Sequence, residues 1–213
     1  MKDWKMILRK VWHFIWEDNS IWSWIINIIL AFILIKFIVY PGLGFAFQTS
    51  HPVVAVVSES MEHKGSFDEW WNNGNKWYVA NGISRGEFEQ YPLKNGFNKG
   101  DIMVLYGKKT GNIGIGDVVV FWSSSRDPII HRIVKKSQDN GAYIFQTKGD
   151  NYRTNPAPIQ KPPFLDETRI TEDQIIGNAV FKVPLLGWIK IWFNDYVWVP
   201  ILKPLLQGLT IVK

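Results

Sequence analysis

The chain has 213 residues, room for one ordinary domain with additions rather than two full ones. Apolar residues make up 46% and charged residues 20%, which excludes both a disordered chain and a wholly intramembrane bundle. A net charge of +5 without a long Lys/Arg run suits anionic lipid better than nucleic acid, and the absence of cysteine excludes disulfides, thiol catalysis and cysteine-ligated metals.

Residues 1–18 mix Lys2, Lys5, Arg9 and Lys10 with Asp3, Glu17 and Asp18. Ile21–Tyr40 is then a nearly unbroken apolar run, 20 residues long, as a helix needs to cross ~30 Å of hydrocarbon. Lys36 sits near its far end, where it can snorkel, and Trp22, Trp24 and Tyr40 stand at interfacial positions. The expectation is a membrane span over 19–42. The run is too long for a cleavable signal peptide, and no small-x-small site follows it promptly. The cations before it, with none after Lys36 until Lys64, put the N-terminus in the cytoplasm and the rest outside.

Residues 43–182 carry an expected antiparallel, mainly β domain. Apolar runs at Val53–Val57, Ile102–Tyr106, Val118–Trp122, Ile129–Val134, Ala142–Lys148 and Ile175–Val183 alternate with turns, two of them Gly-Asp. The stretch 62–99 interrupts this texture. Ser66-x-x-Glu69 and Ser84-x-x-Glu87 are capping-box patterns, predicting two short helices rich in Trp, Tyr and Phe. Their aromatics form either a small satellite core or a surface for lipid or peptide. The tail, 183–213, is apolar but broken by Pro200, Lys203, Pro204 and Gly208, and reads as an interfacial or re-entrant segment, with a second span as the alternative.

Two residues suggest chemistry. Ser60, in Ser58-Glu59-Ser60-Met61, ends a rigid strand, where a nucleophile can be held in place; an ordinary turn serine is the bland alternative. His131 shares a strand face with Ile129 and Ile133, a position equally suited to a hydrogen-bonded core histidine. The pair Asn140-Gly141 predicts a two-residue type I′ hairpin. An unbroken register from that turn pairs 139 with 142 and carries 131 to Asp150, whose carboxylate would fix the imidazole tautomer. His51 and His63 flank the Ser60 region, and His13 precedes the span. No metal-ligand cluster or phosphate loop is visible, so no cofactor is implied.

These elements, in this order, resemble a type I signal peptidase. The resemblance rests on an apolar span, Ser58-Glu59-Ser60-Met61-Glu62, two Gly-Asp-hydrophobic strands, Ile130-His131-Arg132-Ile133-Val134 and Thr147-Lys148-Gly149-Asp150-Asn151, and it covers about 45–185. His131-Arg132 stands where bacterial members have Lys-Arg, which is similar to the archaeal and endoplasmic-reticulum branch. The resemblance implies the signal-peptidase β fold, Ser60 as nucleophile, His131 as general base and the Ser58 hydroxyl as oxyanion donor. It also implies signal-peptide-bearing preproteins, the lipid bilayer and the secretion translocon as partners, and a cell-membrane location. Three features depart from it: Glu59 replaces a usual glycine, the loop before the first Gly-Asp is long, and no second aspartate follows Gly149-Asp150-Asn151 until Asp166. Asp150 is the expected partner of His131, with Asp166 the other candidate. The competing readings are a membrane-anchored β-rich binding module and an inactive peptidase-like subunit.

Overall fold

The computed structural model describes residues 3–107, 109–124, 127–202 and 204. The chain forms two compact units, Met1–Ala46 and Phe47–Lys213. The first holds helix α1 (Asp3–Trp16) and all but the last residue of a long apolar helix, Ile21–Phe47. That helix is α-helical over Ile21–Leu34 (α2), π-wound over Ile35–Val39 and α-helical again over Tyr40–Phe47 (α3). The π stretch ends just before Pro41, whose missing N–H and ring disturb the preceding turn. The helix therefore runs five residues beyond the expected end of the span.

The second unit is built on one seven-stranded antiparallel sheet. Its strands are β1 (Val53–Ala55), β2 (Ile102–Tyr106), β3 (Val118–Phe121), β4 (Ile129–Asp139), β5 (Ala142–Lys148), β8 (Ile170–Thr171) and β9 (Ile175–Val183), in the order β1-β2-β9-β3-β4-β5-β8. A small hairpin, β6 (Gln160–Lys161) with β7 (Leu165–Asp166), stands apart from it. The mainly β class read from the sequence is the class found.

Strand β3 shows why both sheet faces are covered. Successive strand side chains point to opposite faces. Val118 and Val120 enter one core with Val56, Met61, Phe97, Met103 and Leu105, while Val119 and Phe121 enter another with Ile113, Ile133, Phe145 and Ile170. The Gly-Asp pairs before β2 and β3 are tight turns: Gly100 and Gly116 have φ of +92°, and Asp101 and Asp117 accept hydrogen bonds from Asn98 N (2.9 Å) and Gly114 N (3.0 Å).

The insertion folds as three short helices, α4 (Phe67–Gly74), α5 (Lys76–Ala80) and α6 (Arg85–Phe88). Ser66/Glu69 and Ser84/Glu87 both form complete capping boxes. Trp70, Trp71, Tyr78 and Phe88 are buried against Ile83 and Val134, so these aromatics form a satellite core rather than an outer surface. Truncating one, such as Phe88, would cost ~3–5 kcal/mol. The tail begins with α7 (Trp188–Phe193) and continues π-wound over Asn194–Leu202; the expected tail positions 203 and 205–213 lie outside the described residues.

Candidate active site

The backbone leaves β1 at Ala55 and reaches Ser60 through a short irregular segment that the neighbouring loops grip closely. Val56 exchanges backbone hydrogen bonds with Asp101 and Gly100, each 2.9 Å. Met61 is 1% exposed and anchored in the core, and its carbonyl accepts from Phe97 N at 3.1 Å. The Ser60 carbonyl accepts from Asn151 N (2.9 Å), and the Asn151 amide donates to the Glu59 carbonyl (2.9 Å). A Cβ on Gly149 would stand 2.7 Å from the Ser60 carbonyl oxygen, so only glycine lets that loop come so close. The Ser60 hydroxyl lies 3.2 Å from that of Ser58.

Ser58, Ser60 and His131 line one cleft of about 370 Å³, whose other walls include Val57, Ile129, Ile130, Asn155, Ile159 and Leu165. His131 comes from β4 and is 3% exposed. Its Nδ1 bonds to Glu167 Oε1 at 2.5 Å. Glu167 directly follows β7 and is fully buried. Its Oε1 also accepts from Thr147 Oγ1 (2.9 Å), and its Oε2 accepts from Ile159 N (2.7 Å). The Glu167 backbone is held as well, accepting from Thr147 N (2.9 Å) and donating to the Ile159 carbonyl (2.8 Å). A carboxylate accepting at Nδ1 leaves the lone pair of a neutral imidazole on Nε2.

Asp150 is therefore not the group found against His131, and the reason is one residue of register. The Asn140-Gly141 turn forms as expected, with φ of 49° and 87°, and the pairing Asp139↔Ala142 runs regularly to Lys135↔Gln146. A bulge at Val134 then shifts the ladder, so that Ile133 faces Thr147 and Arg132 faces Lys148. A single-residue shift exchanges the two faces of everything beyond it. Arg132, Lys148 and Asp150 share one face, and His131 and Thr147 share the other with Glu167. The other candidate, Asp166, accepts from the amide (3.0 Å) and hydroxyl (2.6 Å) of Thr168.

Asp150 instead forms the centre of a buried polar cluster. Arg132 Nε and Nη2 bond to its carboxylate at 2.7–3.1 Å, Tyr78 OH donates to it at 2.9 Å, and His63 Nε2 lies 3.1 Å away. All five Arg132 N–H groups meet oxygen, because Nη1 reaches the carbonyls of Pro92 and Gly116 and Nη2 that of Leu93. Burial alone would raise the Asp150 carboxyl, but Arg132 and His63 override it and hold the group well below the usual carboxylate range. Burial lowers His63 despite Asp150, and raises the Tyr78 phenol well above its ordinary value. Lys148, bonded to the Gly149 carbonyl at 2.8 Å, is lowered to about 8, chiefly by burial. His63 stacks on Trp70 at 3.6 Å, and His51 Nδ1 bonds to Ser50 Oγ at 2.9 Å.

The chain is 32% identical over 172 residues to a protein of Schizosaccharomyces pombe named signal peptidase complex catalytic subunit sec11, covering 79% of each chain. The chain belongs to the endoplasmic-reticulum and archaeal branch of the type I signal peptidases. A subunit of the same name from Lachancea thermotolerans is 27% identical over 75% of this chain and 76% of its own. Human SEC11C is 32% identical over 106 residues, 49% of this chain and 54% of its own. No family model matches the chain. Glu167, the carboxylate found against His131, is a residue that the sequence reading missed. It follows the expected rival Asp166 by one position, and the only signal available was that neighbours along a strand face opposite sides.

Proposed function

We propose that the chain is a membrane-anchored serine endopeptidase that removes signal peptides from exported preproteins. One observation carries the reading: Ser60 shares a cleft with a histidine whose Nδ1 is held by a buried carboxylate, Glu167. In the proposed mechanism the Ser60 hydroxyl turns from Ser58 to His131 Nε2, which takes its proton as Ser60 Oγ attacks the scissile carbonyl. Glu167 fixes the tautomer and stabilises the imidazolium, which then returns the proton to the leaving amine. The Ser58 hydroxyl and the Ser60 amide are the proposed donors to the developing oxyanion. The resulting acyl-enzyme is hydrolysed by water activated at the same histidine.

In this reading Asp150 is a structural residue, outside the reacting groups. Its contacts with Arg132, Tyr78 and His63 lock the 149–151 loop, and Asn151 in that loop holds the Ser60 carbonyl. The helix Ile21–Phe47 is the proposed span, with residues before it cytoplasmic and the β unit across the membrane, where a translocated signal sequence emerges. A serine-directed phosphonate probe tests the site. Mass spectrometry should place it on Ser60, with labelling lost in Ser60→Ala and much slowed in His131→Ala. Equal labelling of the Ser60→Ala variant would refute the nucleophile.

A further inference from the structure

Helix α1 has a pattern that the catalytic reading does not use. Trp4, Ile7, Leu8, Val11, Trp12 and Ile15 recur at three- and four-residue spacing and so share one face. Lys5, Arg9 and His13 recur every four residues on the other, with Lys10 beside them. Residues 4–13 are all exposed: Ile7 is 60% exposed and Trp12 62%. A six-residue apolar stripe left in water would cost several kcal/mol.

The end of α1 is tied to the apolar helix by a built elbow. Ser20 caps α2, and its amide bonds to Asp18 Oδ1 at 2.8 Å. Ser23 Oγ donates to the Phe14 carbonyl at 2.6 Å, and Asn27 Nδ2 donates to the Ile15 carbonyl at 2.9 Å. The two polar side chains in the first turns of α2 thus satisfy carbonyls that the C-terminus of α1 leaves open. An amide in an apolar helix is costly unless bonded, so Asn27 gives the elbow a reason to persist. These bonds hold the C-terminal end of α1 beside the first two turns of the apolar helix, where Trp22 and Trp24 also lie.

We propose that α1 is an in-plane anchor for an anionic bilayer surface, with the Trp4–Ile15 face in the acyl region and Lys5, Arg9 and Lys10 toward lipid phosphates. Two features commit the face to lipid: its cationic flank complements anionic headgroups, and only the short polar elbow 17–20 separates it from the span. Each cation near such a surface gains about fivefold in partitioning. The inference rests on the Ile21–Phe47 span and is independent of the peptidase chemistry.

The chain has no native cysteine, so single-cysteine spin labels can be placed freely. The full chain would be labelled singly at 7, 8, 9, 10, 11 and, as a span control, 30, in nanodiscs of phosphatidylcholine alone or mixed with phosphatidylglycerol. In the anionic discs, labels at 7, 8 and 11 should collide severalfold more with oxygen than with an aqueous nickel chelate, and labels at 9 and 10 the reverse. The contrast should shrink in phosphatidylcholine and in a K5Q/R9Q/K10Q variant. Aqueous signals on both faces in anionic discs, as expected of a face awaiting a protein partner, would overturn the anchor. A contrast insensitive to lipid charge and to the variant would overturn its anionic preference. An aqueous signal at position 30 would instead overturn the span, and the anchor with it.

Discussion

Glu167→Gln separates the two acids near the site most sharply. The carboxylate accepts three hydrogen bonds, from His131 Nδ1, Thr147 Oγ1 and Ile159 N. A glutamine of the same shape has one acceptor oxygen. If that oxygen faces His131 and Thr147, its NH₂ meets the Ile159 N–H, two buried donors in opposition, at about 1–3 kcal/mol. If the amide turns over, the NH₂ faces Nδ1, and the imidazole must carry its proton on Nε2, where it can no longer act as base. Either way the negative charge that stabilises the imidazolium is gone. Turnover should fall on the order of 10²–10⁴, a barrier increase of about 3–5 kcal/mol, in a protein that remains folded. The assay is cleavage of a signal-peptide-bearing precursor per mole of folded enzyme, with thermal unfolding measured on the same samples. Wild-type turnover from a folded Glu167→Gln protein would refute the assignment of the acid.

The complementary change, Asp150→Asn, should behave oppositely: it leaves the buried Arg132 charge unpaired, costs about 3–5 kcal/mol in denaturant unfolding, and changes turnover per folded molecule little. Because Asp150 titrates well below its usual range in the folded state, the stability it contributes is complete above pH ~4 and is lost as pH falls below that; Asp150→Asn should flatten this acid limb in unfolding midpoints measured against pH. Lys148 titrates near 8 when folded and at about 10.4 when unfolded, so between those values the unfolded chain holds the extra proton and stability rises with pH; Lys148→Met should abolish that alkaline limb. Gly149→Ala should push on the Ser60 and Asn155 loops, each 2.7 Å from the added carbon, and lower turnover about tenfold or more with the fold retained. Ser58→Ala should cost ~10²–10³ in turnover if its hydroxyl serves the oxyanion, measured under saturating precursor.

Strands β2, β3 and β5 were legible because their apolar runs follow glycine turns with one clear chemistry. Ile102–Tyr106, Ala142–Lys148 and Ile175–Val183 lie at their expected bounds, and both serine caps of the insertion formed as their spacing implied. The Asn140-Gly141 hairpin was equally readable, but its register was readable only as far as Lys135. Nothing in Ile133-Val134-Lys135 announces a bulge, because what stabilises it is distant: Val134 packs into the insertion's aromatic core, and Arg132 reaches the carbonyls of Pro92 and Leu93. The acid against His131 was hidden for a related reason. The proline-bearing stretch folds back through the β6–β7 hairpin and delivers Glu167 rather than Asp166, and that choice is made by tertiary pairing with Ile159 and Thr147.

The most direct test of the central claim is precursor processing by the purified full chain in lipid, compared among wild type, Ser60→Ala and His131→Ala. The account predicts that wild type releases the signal peptide at one site, and that both variants stay folded and membrane-bound but leave the precursor intact. Cleavage at the same site and rate by the Ser60→Ala protein would contradict it.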